Sequence, residues 1–401
     1  MQPSLLSSDS ENRPASLLSE DDIIHWLALR MTPGLGTRKA GKLVEIFRTP
    51  QAIFRATRSE LQSAGLAPAI AQSVASGCGF EDAAEQRGKM AEFGAELIPL
   101  RTPMYPPLLK EIFDPPPVLF ARGRIDLLHS PMLAIVGTRR PTAYGTQAAT
   151  RLARDLANAG LTISSGMARG IDTAAHKAVL EAGGNTVAVF GCGVDQVYPA
   201  ENRKLATEIA EKGLVVSEFP MGAAPFPQNF PIRNRIISGF SLGVLVVEGG
   251  EYSGSAITAK LATEQDREVF AVPGNITSKL SWGPNLLIKQ GAKLVQEWND
   301  VVVELKPEIR RQLADAERKR LNINDLEVGE TNGGGGASKL GSLAQSILQL
   351  LDHDAAKGLD LLIDEIEAAS PSEVMAGLFD LELNGLVRQL PGKSYIKVWS
   401  D

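Results

Sequence analysis

The sequence predicts an α/β protein: a doubly wound, mostly parallel, Rossmann-like sheet, with a small helical domain ahead of it and a winged-helix-like domain behind it. Three observations carry that reading. Six short apolar, β-branched runs lie between residues 132 and 274, with helix-length stretches between most of them. Strands apolar throughout, alternating with helices, belong to a parallel sheet covered on both faces. Residues 21–94 instead show helical patterns broken by Gly and Pro, and the chain beyond residue 341 reads helix, helix, helix, hairpin.

Taken in order, residues 1–19 are Ser-rich and polar, a disordered tail. Residues 20–95 hold IIHWLALRM, RKAGKLVEIF, PQAIFRA and APAIAQSVAS, four short helices. Residues 96–130 are too proline-dense for regular structure beyond short extended pieces and read as a connector. The Rossmann-like domain spans 131–305, with strands MLAIVG (132–137), LTISSG (161–166), TVAVFG (186–191), LVVSEF (214–219), GVLVVEG (243–249) and EVFAVPG (268–274). Residues 306–340 are charged and then glycine-rich (NGGGGASK), a linker that lets the last domain, 341–401, dissociate.

Composition narrows the function. The 401 residues hold 41 Lys and Arg against 47 Asp and Glu, a net charge of −6, which argues against a polycation that coats nucleic acid but allows a basic face. The segment 341–401 holds ten acidic and four basic residues, so a polyanion should prefer the first 300. Two distant cysteines exclude a disulfide framework and favour a reducing cytoplasm. Neither a signal peptide nor a membrane-spanning run is expected.

The candidate chemistry lies where strands end and helices begin. Gly137, Thr138, Arg139 and Arg140 follow the first strand, without the G-x-G-x-x-G spacing of a dinucleotide site. Ser164, Ser165 and Gly166 end the second, followed by Arg169 and Gly170; small residues let a backbone approach an anion. Phe230, Arg233, Asn234 and Arg235 open a later helix, a ring for a base and charges for phosphates. Ser253, Gly254, Ser255, Thr258 and Lys260 open another, a start suited to an anion. In the helical domain MTPGLGTRKAGKL has the pattern of a helix-hairpin-helix, with Arg38, Lys39 and Lys42 offered to a DNA backbone. No metal spacing, Walker A run or G-x-S-x-G elbow is present, so neither metal nor cofactor is expected. Glu218 and Glu248 end strands at the same edge and leave a hydrolytic carboxylate open.

In order, GTRRPTAYG, SGMARGIDTAAH, GCGVDQVYPAEN, SEFPMG, FPIRNRIISG, YSGSAITAKLA and FAVPGNI closely resemble the DprA (Smf) family of DNA-processing proteins. The resemblance runs from about residue 20 and is most specific over 131–300. It implies a cytoplasmic protein that binds and protects incoming single-stranded DNA in natural transformation. It further implies loading of the recombinase RecA onto that strand beside single-strand-binding protein, a homodimer, and no enzymatic step. It implies a sterile-alpha-motif or helix-hairpin-helix module at the N-terminus and a winged helix at the C-terminus. Two departures stand out: APFPQNF lacks a lysine, and the last long helix carries Glu373, Asp380 and Glu382, which would repel DNA. The competing class is a nucleotide phosphoribohydrolase on a similar sheet. Its P-G-G-x-G-T-x-x-E run is not matched by EGGEYSGSAIT.

Overall fold

The computed structural model describes residues 18–251, 253–320, 342–352, 355–366, 369–390 and 392–398. The helical domain contains α1 (Glu20–Met31), α2 (Thr37–Phe47), α3 (Pro50–Arg55), α4 (Arg58–Ser63), α5 (Pro68–Ala75) and α6 (Phe80–Phe93). Ser19 and Thr57 form capping boxes with Asp22 and Glu60, while Pro50 and Pro68 occupy first turns, where the absent N–H would have had no helical partner. Between α1 and α2 the chain turns at Gly34, whose φ of 75° suits glycine. Trp26, Leu43, Ile53 and Met90 belong to a core continuous with one face of the sheet, so this domain is docked.

The proline-rich stretch departs from its reading as a connector. It supplies β1 (Glu96–Pro99), the short α7 (Pro107–Lys110) and β2 (Val118–Gly123). Both strands pair antiparallel at the sheet's end, and Pro99 closes the outermost one, where a missing donor is tolerated.

The six strands read from the sequence all form, as β3 (Met132–Val136), β4 (Thr162–Ser165), β5 (Thr186–Val189), β6 (Leu214–Ser217), β7 (Gly243–Val246) and β8 (Glu268–Ala271). The helices α8 (Ala143–Asn158), α9 (Ile171–Glu181), α10 (Arg203–Lys212), α11 (Asn229–Gly239) and α12 (Gly254–Glu264) connect them; α13 (Trp282–Lys289) and β9 (Lys293–Leu294) follow. Among the described residues the sheet runs β1-β2-β6-β5-β4-β3-β7-β8-β9, parallel from β6 to β9. Strand periodicity sorts the side chains. Leu133 and Ile135 join the core beneath α8 and α9, whereas Met132, Ala134 and Val136 join the core shared with α10, α11 and α12. Strand order reverses between β3 and β7, and loops at the carboxyl ends near such a reversal form the ligand crevice of open α/β sheets.

The stretch read as a linker also departs from expectation. After α14 (Asn299–Val302), α15 (Pro307–Arg320) packs Ile309 and Leu313 into the second core. NGGGGASK and residues 1–17 lie outside the described residues. The last domain is the expected winged helix: α16 (Ser342–Leu350), β10 (Lys357–Gly358), α17 (Leu359–Glu365), α18 (Pro371–Leu383), β11 (Val387–Leu390) and β12 (Ser394–Lys397). It does not hang free. Phe379 stacks on Trp298 at 6.0 Å, Arg388 pairs with Glu297 at 3.0 Å, and Leu383 enters the second core.

Candidate nucleic-acid interface

Loops after β3, β4 and β5 meet the start of α11 in a small pocket lined by Arg139, Gly166, Ala168, Arg169, Tyr198, Pro199, Phe230 and Arg233. The half-buried Phe230 is its centre. A Cβ on Gly191 would stand 2.9 Å from the Phe230 ring, so the glycine gives the ring room. Tyr198 lies 5.4 Å away, tilted by 40°. The guanidinium carbons of Arg139 and Arg233 sit 5.8 and 6.0 Å from the Phe230 centroid, within cation–π range.

Arg233 forms the floor. It is 4% exposed, its Nε has no hydrogen-bond partner, and it makes no ion pair among the described residues. Burial pulls its pKa down to about 10, against the pull of the Asp172 carboxylate. Asp172 does not close on it as a salt bridge. Its Oδ2 accepts from the amides of Gly166 (3.0 Å) and Ala168 (3.3 Å) instead. Burial raises the Asp172 pKa, with Arg233 and these amides opposing. A buried guanidinium without an anion in contact is unfavourable, and a phosphate would complete it. Arg139 is exposed and unpaired among the described residues. Arg169 is engaged: its Nη2 donates to Glu201 at 2.9 Å, and that pair holds the Glu201 carboxyl down at about 2.

The two carboxylates at this edge are occupied. Glu248 accepts from the Thr142 amide (2.9 Å) and hydroxyl (2.6 Å), filling the start of α8. A pyrophosphate would sit there in a dinucleotide site. Glu218 is 2% exposed and pairs with Arg235.

The match to known proteins is extensive. The family model described as DNA recombination-mediator protein A matches residues 96–306, and the DprA winged-helix model matches 336–393. Protein Smf of Escherichia coli K12 is 40% identical over 305 residues, covering 75% of this chain and 77% of its own. The chain belongs to the DNA recombination-mediator protein A family. The DNA processing protein DprA of Bacillus subtilis is 47% identical over 215 residues, 53% of this chain and 72% of its own. The crystal structure of DNA processing protein A from Streptococcus pneumoniae superposes with a TM-score of 0.64 at 36% identity, over 71% of this chain and 98% of that one.

Within this family fold, the pocket gathers Arg139, Gly166, Arg169, Phe230 and Arg233 from the residues the sequence singled out. Others depart. Arg235 turns away into a buried cluster with Glu218, and its Nε lies 3.4 Å from Asp114. Residues two apart on a helix point about 200° apart, so Arg233 and Arg235 cannot share a pocket, a signal already in the spacing. Ser164 is spent inside the sheet on Ser241 (2.9 Å), and the Ser165 hydroxyl donates to the Ile135 carbonyl (2.6 Å). The Gly166 amide is taken by Asp172, so side chains rather than a backbone nest supply the positive charge. Gly137 and Gly170 lock loops together: a Cβ would meet Ile171 at 2.5 Å in the first case and the Thr138 carbonyl at 2.4 Å in the second. The Thr138 amide donates to the Glu248 carbonyl at 2.7 Å, and Arg140 is exposed. At α12, Ser253 caps Ala256, Ser255 bonds Ser253, and the Thr258 hydroxyl donates to Gly254. Asn234 reaches the Gly254 carbonyl at 3.4 Å, while Lys260 is outward beside Glu264. Arg38, Lys39 and Lys42 are exposed on α2. Two residues of the site were not singled out by the sequence: Tyr198, which lines the pocket, and Asp172, which holds the Gly166 and Ala168 amides beside Arg233.

Proposed function

We propose that the chain binds single-stranded DNA at the Phe230 pocket without strong sequence preference, and that it is a recombination mediator rather than an enzyme. One observation carries this: a half-buried ring flanked by two guanidiniums, one of them buried with an unpaired Nε. A ring serves any base and guanidiniums serve the flanking phosphates. Membership of the DNA recombination-mediator protein A family supports the wider role. In that role the cytoplasmic protein, as a homodimer, protects incoming strands in natural transformation. It also assembles RecA on DNA already covered by single-strand-binding protein. The engagement of Glu218 and Glu248 supports the absence of a hydrolytic step. No helix among the described residues is long and apolar enough to cross a membrane.

The test is a competition gel shift of a labelled oligothymidylate against unlabelled single strand and blunt duplex, with free-base release from nucleoside monophosphates followed in parallel. Displacement by single strand alone, with no base released, is the expected result. Equal displacement by duplex, or base release abolished by Glu248→Gln, would overturn it.

A further inference from the structure

The same pairing of ring and guanidinium occurs a second time, outside the pocket. Phe113 lies between α7 and β2 with 81% of its surface exposed. Its neighbours fix it there. Ile112 is buried, with its Cγ2 3.2 Å from where a Cβ on Gly239 would stand, and Asp114 approaches Arg235 at 3.4 Å. The ring is therefore held out in water by an anchored backbone on both sides. Over it lies Arg38 of α2, its guanidinium carbon 4.3 Å from the ring centroid, closer than either arginine comes to Phe230. Lys39 and Lys42 stand exposed on the same helix, and neither they nor Arg38 form an ion pair among the described residues.

The two rings are linked through α11. Arg233 faces the pocket, and Arg235 grips the residue next to Phe113. Both rings therefore flank α11, Phe230 on the face that carries Arg233 and Phe113 beside the Asp114 that Arg235 approaches from another face.

We propose that Phe113 and Arg38 form a second stacking step for single-stranded DNA, with Lys39 and Lys42 on the adjoining phosphates. The strand that occupies the Phe230 pocket continues onto it. The inference rests on the single-strand reading of that pocket. It also changes the part of the helical domain: the hairpin charges serve an unpaired strand whose base meets a ring, rather than a duplex backbone.

The test measures affinity for oligothymidylates of about 5 and about 20 nucleotides with the full chain and with Phe113→Leu, Phe113→Tyr, Arg38→Gln and Arg139→Ala. An exposed ring is removable without loss of fold, and thermal unfolding checks this. Phe113→Leu should weaken the long oligonucleotide by at least about fivefold and leave the short one unchanged, while Phe113→Tyr restores binding. A 5-iodouracil placed toward one end of the long strand should cross-link to Phe113. If Phe113→Leu binds both lengths like the parent while Arg139→Ala loses both, the second step is refuted and the pocket stands. If Arg139→Ala also binds normally, the pocket reading itself fails. Unchanged DNA binding with an altered sedimentation coefficient would make Phe113 a protein contact and overturn the proposal.

Discussion

Replacing Gly166 with alanine tests the pocket floor without removing any polar group. A Cβ at this position would stand 1.5 Å from Arg233 Nη1 and 2.5 Å from its Cζ. An ordinary contact is about 3.5 Å, so the guanidinium must retreat by about 2 Å. That is enough to uncouple it from Phe230, which it now meets at 6.0 Å. The backbone at Gly166 is not in the left-handed region, so alanine itself is permitted there. The displaced atoms belong to the far end of a side chain, so the fold should survive. Binding should not. Loss of one charge-assisted contact to phosphate is worth about 1–3 kcal/mol, some 5- to 150-fold in affinity. Fluorescence anisotropy with a labelled oligothymidylate measures it, and calorimetry checks the fold. Parental affinity in a folded Gly166→Ala protein would refute the role given to Arg233.

Three further outcomes follow from the same geometry. Arg235→Leu should lower stability by about 3–5 kcal/mol, because it strands the buried Glu218 carboxylate, while the folded protein still binds DNA; denaturant unfolding and anisotropy separate the two. Glu201→Gln should raise DNA affinity by a small factor, since it frees Arg169 from its ion pair; lower affinity would show that the pair holds the loop in place. Burial and, secondarily, Glu297 lift the Glu382 pKa from 4.5 to about 7, against the Gln389 amide. The folded chain then binds that proton more tightly than the unfolded chain, so the contribution to stability is largest below pH 4.5 and declines as pH rises to about 7. Glu382→Gln should abolish this decline in thermal unfolding of the winged-helix domain; an unchanged pH profile would contradict it.

The central strands were legible because burial on both faces writes them as unbroken apolar runs, as in MLAIVG and TVAVFG. The edge strands were not. β1 and β2 lie in proline-rich sequence, and only their place at the sheet's end makes Pro99 acceptable. The helix α15 was hidden by its charge; among its described side chains Ile309, Leu313 and Ala314 face the core. In the site, the sequence marked which loops converge but not which groups within them remain free. Ser164, Ser165 and the Gly166 amide were plausible anion donors until Ser241, the Ile135 carbonyl and Asp172 were seen to occupy them. The Ser241 and Ile135 partners are long-range and leave no trace in local spacing, whereas Asp172 is local and its role depends on how the loop folds back. Arg235 differs: helical geometry alone sets it apart from Arg233.

In the proposed binding mode Arg139, Arg233 and Phe230 together hold a single strand by phosphate and ring. The most direct measurement is the affinity for an oligothymidylate across a salt series, for the parent and for Arg139→Ala. Log affinity should fall linearly with log salt, and the variant's slope should be shallower by about one phosphate contact. Identical slopes, or affinity indifferent to salt, would contradict the claim.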